Sequence, residues 1–141
     1  MAGPSALRLL AEDAGDLAVM SAALQDAITK VGDIRFEARA RRLTVTFNRF
    51  RWETGVRQRV RSALQLGGVL RVEARKIRRD NHDAVLELLS IGFEPGAAPG
   101  GVLALNFAGG GDFWVHVECV DAVLADVSEP WPTPRKPSHD S

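Results

Sequence analysis

The chain has 141 residues, of which 45% are apolar and 26% are charged, as is typical of one folded domain rather than a disordered or fibrous protein. It has no net formal charge and a single cysteine, Cys119, which excludes an intrachain disulfide and a cysteine-rich zinc site. Because no apolar run approaches the roughly 20 residues that cross a bilayer, and the amino terminus does not resemble a signal peptide, we expect a cytoplasmic protein with no membrane segment.

Charge is distributed unevenly along the chain. The segment 35–79 contains fourteen of the eighteen Lys and Arg residues but only three carboxylates, a formal charge of +11 that the rest of the chain balances. Such a segment predicts either a basic surface or a set of cations that pair with acidic neighbours in the fold. The sequence leaves both alternatives open.

The first predicted elements are a short strand and a helix. Apolar residues over 7–10 predict an edge strand, and Asp13 is suited to cap a helix because its carboxylate accepts from free backbone N–H groups. Apolar residues then recur at spacings of three and four from Leu17 to Val31. This pattern predicts a helix of about five turns, Asp13 to Val31, that ends at Gly32.

The rest of the chain alternates with a period of two residues, which predicts strands. They cover 34–37, 43–52, 56–66, 69–77, 85–93, 102–107 and 113–117. Glycines 109–111 predict a tight turn between the last two, and the strand over 85–93 is expected to be the most buried. Residues 118–127 suit either a strand or a helix, and their alanine content favours a helix.

Together these elements predict an α+β domain over residues 1–131. We expect a mainly antiparallel sheet or partial barrel of six to seven strands, with an N-terminal helix on its open face and a C-terminal helix if 118–127 is helical. A pleckstrin-homology-like barrel is the first analogy to test. The proline-rich polar segment 132–141 is predicted to be a disordered tail.

The strand pair 43–52 and 56–66 is the most distinctive stretch. If Thr54 and Gly55 form a two-residue turn, Val45 faces Leu64 and the base of the hairpin is apolar. Guanidinium groups can then lie on aromatic rings across the other face of the tip. On that face the same register pairs three residues with arginines, namely Trp52 with Arg57, Phe50 with Arg59, and Asn48 with Arg61.

This tip is the main candidate site. Its residues are Arg49, Phe50, Arg51, Trp52, Arg57, Arg59 and Arg61. The first interpretation is a non-enzymatic interaction module whose hairpin docks an unidentified protein partner or a second copy of the chain. The alternative is binding of RNA or single-stranded DNA through the three arginines of the second strand, because such binding combines cationic groups with stacking surfaces.

No residue pattern specifies catalysis or a cofactor. The histidines, His82, His116 and His139, form no metal-binding motif. The glycines at 109–111 lack the Lys-Ser/Thr that follows in phosphate-binding loops, and Cys119 has no base beside it in a recognisable motif. We therefore expect no cofactor and no metal, and a small-molecule enzyme with an unrecognised site is the last alternative.

Several short motifs resemble those of a known family. They are Ala-Glu-Asp-Ala-Gly-Asp-Leu, Leu-Gln-Asp-Ala, Lys-Val-Gly-Asp-Ile, Asn-Arg-Phe-Arg-Trp-Glu, Gly-Phe-Glu-Pro-Gly, Ala-Gly-Gly-Gly and Val-Glu-Cys-Val. From Leu9 to Trp131 the chain resembles the alphaproteobacterial domain-of-unknown-function family 2948. The resemblance implies a bacterial cytoplasmic protein, and it assigns no site residue because no activity is established for the family.

Overall fold

A computed structural model of the chain describes residues 6–134. Within this range the chain forms one α-helix, α1 (Ala14–Ala23), one 3-10 turn (Val31–Asp33) and eleven strands. The strands are β1 (Arg8–Ala11), β2 (Ile28–Lys30), β3 (Ile34–Glu37), β4 (Arg42–Phe50), β5 (Gln58–Leu66), β6 (Val69–Arg75), β7 (Val85–Pro95), β8 (Gly101–Phe107), β9 (Asp112–Val117), β10 (Ala122–Asp126) and β11 (Trp131–Pro132).

The strands of residues 6–134 form one antiparallel sheet that is not closed. Its order is β1-β10-β5-β4-β2-β7-β8-β9-β6, with β3 beside β4 and β11 beside β5. β7 links the two halves of the sheet, since it pairs first with β2 and then, past a bulge after Leu88, with β8. The mainly antiparallel α+β fold is confirmed, but six to seven strands is an undercount.

The amino-terminal cap is confirmed. The side chain of Asp13 accepts a hydrogen bond from the backbone N–H of Asp16 at 2.8 Å, which satisfies one of the free donors in the first turn of α1. Leu17 and Met20 are the buried residues of the helix, and they pack against the same core as the inner face of the sheet. The short strand predicted before the helix is β1, at one end of the sheet.

The helix is shorter than predicted, and its extension to Val31 is wrong. Asp26 has a φ of 61°, which interrupts a right-handed helix. The chain then enters the sheet as β2, between β4 and β7. Ile28 and Thr29 are β-branched and favour a strand, and Thr29 is buried with its hydroxyl donating to the Thr46 carbonyl at 2.7 Å. Sheet pairing therefore outweighs the helical spacing in this segment.

The C-terminal helix is also wrong, because residues 122–126 form β10 between β1 and β5. Ala122 and Leu124 are buried, whereas Val123 and Ala125 are partly exposed. This alternation is that of a strand with one face on the core. Pairing on both edges of β10 provides hydrogen-bond partners for its backbone, and Ala122 is buried on the core side. The helix propensity of alanine therefore does not decide the secondary structure of this segment.

Burial in β7 and β8 differs from the prediction. In β7 only Leu88 and Ile91 are fully buried, and Val85 and Leu89 are exposed. One face of the strand packs on the core and α1, while the other faces solvent. The prediction that this strand is the most buried is therefore wrong, because β8 buries Leu103, Leu105 and Phe107.

The predicted hairpin register is confirmed at the base and for two tip pairs, Asn48 with Arg61 and Phe50 with Arg59, but the third pair is wrong. Val45 pairs with Leu64, and the ladder continues to Phe50 and Arg59. Residues 51–57 then form a wider loop in place of the two-residue turn, so Trp52 and Arg57 are not a cross-strand pair. A tight type I′ turn requires positive φ at both central residues, and neither Thr54 nor Gly55 adopts it.

The last part of the chain is described only to residue 134. Trp131 and Pro132 pair with β5 as β11, while 135–141, most of the predicted tail, lie outside the described residues. The single-domain and tail assignments stay predictions. Among residues 6–134, no helix is long and apolar enough to span a membrane.

Candidate functional site

The candidate tip divides into a buried half and a more accessible half. The buried residues, with relative exposures of 0%, 4% and 5%, are Arg49, Phe50 and Arg51. The half-buried or exposed residues are Trp52, Arg57, Arg59 and Arg61. The structure therefore does not bring the seven residues together on one surface.

Arg49 is the centre of a buried ion-pair cluster. It continues the core-facing side of β4, and its guanidinium lies 3.0 Å from the Asp126 carboxylate and 2.8 Å from that of Glu53. The Ser62 hydroxyl accepts a hydrogen bond from Nε of Arg49 at 3.0 Å and donates to Asp126 at 2.6 Å. Pairing of β5 with β10 places Ser62 directly beside Asp126, so three strands build the cluster.

These contacts shift the ionisation of the cluster. Burial by itself would lower the pKa of Arg49, but the hydrogen bonds and negative charges of Glu53 and Asp126 outweigh it and raise that pKa. Burial would raise the pKa of Glu53, yet the hydrogen bond from Arg49 holds it below its ordinary value. Arg49 and Glu53 thus stay charged at neutral pH, so this pair is suited to a structural role rather than to proton transfer.

The aromatic residues of the tip fasten it to the body of the domain. The rings of Phe50 and Trp52 have centroids 4.8 Å apart and an interplanar angle of 60°. Nε1–H of Trp52 donates to the Gln25 carbonyl at 3.3 Å, in the segment after α1. Phe50 therefore belongs to the folded interior, and Trp52 keeps only a partly exposed surface.

The accessible half lies along β5. We call Arg57, Arg59, Arg61 and Trp131 the arginine face. Arg59 and Arg61 occupy alternate positions of β5, so their side chains share one side of the strand, opposite the buried Val60. Arg57 lies just before β5, and its carbonyl accepts a hydrogen bond from the N–H of Thr133 at 3.0 Å. Trp131 is the cross-strand partner of Arg59 in β11 and is 37% exposed. The structure thus places an aromatic ring beside the arginines, although it is not the ring that the sequence indicates.

Two of these arginines have neutral partners. Arg57 donates to the Pro134 carbonyl at 3.5 Å, and Arg59 donates to the Asn48 carbonyl at 3.4 Å. Within residues 6–134 neither forms an ion pair with a carboxylate. Among the described residues, their positive charges are therefore not neutralised by an ion pair.

Arg61 adjoins a polar depression of about 590 Å³ on the same side of the sheet. Its guanidinium lies 3.5 Å from Oδ1 of Asn48 and 3.7 Å from the Asp33 carboxylate. Both members of that ion pair are more than one-third exposed, so the pair contributes little stability and leaves Arg61 free to exchange partners. Lys30 also lines the depression and extends the cationic surface beyond β5.

Sequence reasoning missed Asp126 and Trp131. The first lies in the segment interpreted as a helix, and the second lies at the edge of the predicted tail. A signal for Asp126 was present in β5, where Ser62 interrupts the apolar side. A buried polar side chain requires a hydrogen-bond partner, so the serine indicates a polar group on a neighbouring strand.

Of the residues weighed for catalysis or metal binding, His82 lines the polar depression beside Arg61. In the described part of the chain, no group of three or more His, Cys, Asp or Glu side chains could hold a metal ion. His116 contacts Glu73 at 2.7 Å, His82 lies in an exposed loop and Cys119 is half-buried. His139 lies outside the described residues.

Comparison with known proteins identifies a family for this chain. No curated protein and no solved structure matches it, so the pleckstrin-homology-like analogy stays a prediction. Residues 7–139 match the family described as "Protein of unknown function (DUF2948)". The match covers nearly the whole chain and includes every motif on which the resemblance was based. The chain therefore belongs to the DUF2948 family.

Proposed function

We propose that this protein is a non-catalytic binding module whose arginine face binds single-stranded nucleic acid. The observation that carries the proposal is the row of accessible arginines beside Trp131, in which Arg57 and Arg59 have no carboxylate partner among residues 6–134. Cations next to a stacking surface are what sequence-tolerant binding of a single strand requires.

The geometry of β5 supports this assignment. Alternate residues of a strand are about 7 Å apart, a spacing similar to that of consecutive phosphates in an extended single strand. β5 is paired with β4 on one side and with β10 and β11 on the other. The row is therefore held in place before binding, which reduces the entropy lost when a ligand is bound.

Fluorescence anisotropy with labelled oligouridylate and oligothymidylate of about 12 nucleotides, a length that one small domain can cover, tests the proposal. Three phosphate contacts predict that log affinity falls with log salt concentration with a slope of about −2. The triple variant R57Q/R59Q/R61Q should weaken binding and flatten this dependence. Replacing Trp131 with Ala should weaken binding with little change in the slope, because stacking is not ionic.

The matched control is R39Q/R71Q/R78Q, which removes the same charge from exposed arginines elsewhere. It should leave most of the binding intact. If neither oligonucleotide binds at low salt, or if the two triple variants weaken binding equally, the arginine face is not a nucleic-acid site.

A protein partner at the hairpin tip is the second candidate. The Arg49–Glu53 ion pair and the hydrogen bond from Trp52 to Gln25 hold the tip in place, yet Val56 near its end is 58% exposed. A rigidly held apolar side chain is suited to insertion into a partner's pocket.

Light scattering of the purified chain and analysis of its co-purifying proteins distinguish this candidate. Replacing Val56 with Asp should abolish the association, whereas the same change at Val19, which is 56% exposed on α1, should not. Equal effects of the two substitutions, or none from either, would contradict docking by the tip.

A further inference from the structure

The sheet leaves an open seam between β3 and β6. Each is an edge strand of the described sheet, because within residues 6–134 β3 pairs only with β4 and β6 only with β9. Between them lies a cleft of about 370 Å³, which we call the seam cleft. Its apolar lining includes Ile34, Phe36, Leu43, Val72, Ala74 and Phe113.

The seam cleft leads from solvent into the core. Phe36 pairs with Leu43 on the core-facing side of its strand, yet it is 40% exposed because no strand of the described sheet covers it. Leu43 and Phe113, at 1% and 5% exposure, form the floor. An aromatic wall that faces the interior and still contacts water indicates a place where an apolar ligand would gain burial.

Hydrogen bonds close both ends of the seam cleft. At one end the N–H of Val69, the first residue of β6, donates to the Arg41 carbonyl at 2.9 Å. At the other, the loop from β6 to β7 is held by the N–H of Gly32, which donates to the His82 carbonyl at 2.9 Å. The cleft is thus a bounded pocket, and its volume is at the small end of those that bind small molecules.

The rim of the seam cleft carries positive charge. Arg79 and His82 are its charged or ionisable lining residues, and both lie in the loop between β6 and β7. Arg79 is exposed, and no carboxylate within residues 6–134 lies within ion-pair distance of it. A guanidinium presents a planar fork of N–H donors that matches a carboxylate.

We propose that the seam cleft binds a small carboxylate with an apolar body. The body packs between Phe36 and Val72, and the carboxylate accepts hydrogen bonds from Arg79. An apolar pocket with few polar groups at its mouth recognises this class of ligand, and the volume limits it to about the size of a medium-chain fatty acid or a bicyclic aromatic acid. The seam cleft borders the polar depression beside Arg61, since Gly32 and His82 line both, but the proposed carboxylate site uses Arg79 and does not depend on nucleic-acid binding.

Isothermal titration calorimetry of the full chain with decanoate tests the proposal. Saturable one-to-one binding is expected, and Arg79→Gln should weaken it about tenfold or more, since a hydrogen-bonded charge is lost. Arg78→Gln is the matched control, because Arg78 is also exposed but does not line the seam cleft. Binding of 1-decanol, which has the same tail and no charge, should be unaffected by Arg79→Gln.

Filling the seam cleft provides a second, independent test. Ala74→Phe should abolish binding of both decanoate and decanol, with folding checked by circular dichroism. If that variant does not fold, the comparison of the two arginine variants, which change exposed side chains, still decides the outcome. Absence of saturable decanoate binding, equal weakening by the two arginine variants, or full binding by folded Ala74→Phe protein would each overturn the proposal.

Discussion

Arg49 is fully buried with its charge intact, and this depends on the groups around it. Its guanidinium has 0% exposure, and Asp126, which contacts it, has a side-chain exposure of 3%. Placing a charge in a protein interior is unfavourable unless an opposite charge and hydrogen bonds surround it. Ser62, Glu53 and Asp126 supply them, so the cluster ties β4, β5 and β10 together.

Replacing Asp126 with Ala should lower the free energy of unfolding by about 3 kcal/mol, the low end for a broken buried pair, because Glu53 still balances part of the charge on Arg49. The measurement is equilibrium unfolding in urea. Asp33→Asn, which removes the partner of an exposed pair, should cost less than about 1 kcal/mol. The double variant R49M/D126L should recover part of the loss, since apolar residues can replace a buried pair. Equal losses for Asp126→Ala and Asp33→Asn would contradict the assigned role.

At the residue scale, the alternation of β4 puts Arg49 on the same side as the buried Val45 and Phe47, but its partners could not be inferred in the same way. Asp126 is 77 positions away in the sequence, and it reaches the cluster only because β10 lies beside β5. No spacing rule links residues that meet through the order of strands in a sheet. The accessibility of Arg57 and the burial of Arg51 likewise depend on the loop that replaces the predicted turn.

At the element scale, the local sequence pattern predicts an element correctly where only one structural signal is present. The glycine turn between β8 and β9 is present, with φ of 88° and 93° at Gly109 and Gly110, conformations that favour glycine. Local pattern failed where helical spacing and β-branched residues coincided, as in Ile28 and Thr29. There the open edges of β4 and β7 supply backbone partners, and no periodicity in the segment itself could show that those edges lie nearby.

The cap of α1 is an element whose contribution can be measured. Asp13→Ala should lower the free energy of unfolding by about 1 kcal/mol, because the N–H of Asp16 loses its acceptor. Asp13→Asn should restore most of the stability, since asparagine caps as well as aspartate. Urea unfolding of the two variants checks this. A loss as large for Asn as for Ala would show that the negative charge near the helix terminus, rather than the hydrogen bond, is what stabilises the helix.

At the scale of the whole molecule, both interpretations of the basic segment apply. Its cations with carboxylate partners include Arg42, Arg49, Arg61, Arg71 and Arg75. Those with no such partner among residues 6–134 include Arg57, Arg59 and Arg79. Arg57 and Arg59 lie on the arginine face and Arg79 lines the seam cleft, whereas others of this set, such as Arg39 and Arg78, lie outside both places. Sequence composition alone shows the excess charge, and only the order of the strands shows where it is left uncompensated.

The open sheet predicts an uneven pattern of amide hydrogen exchange. β8 is hydrogen-bonded to β7 and β9 and buries three large apolar side chains, so its paired amides should exchange only through global unfolding. β1, β3 and β6 each have a free edge in the described sheet, and local opening there breaks fewer bonds. Their amides should exchange through local openings of lower free energy, and the less buried a strand is, the lower that free energy should be. Exchange followed by NMR in mild denaturant measures these free energies strand by strand. If β3 and β6 were as well protected as β8, the seam would be covered in solution, and the edges described here would not be the free edges of the molecule.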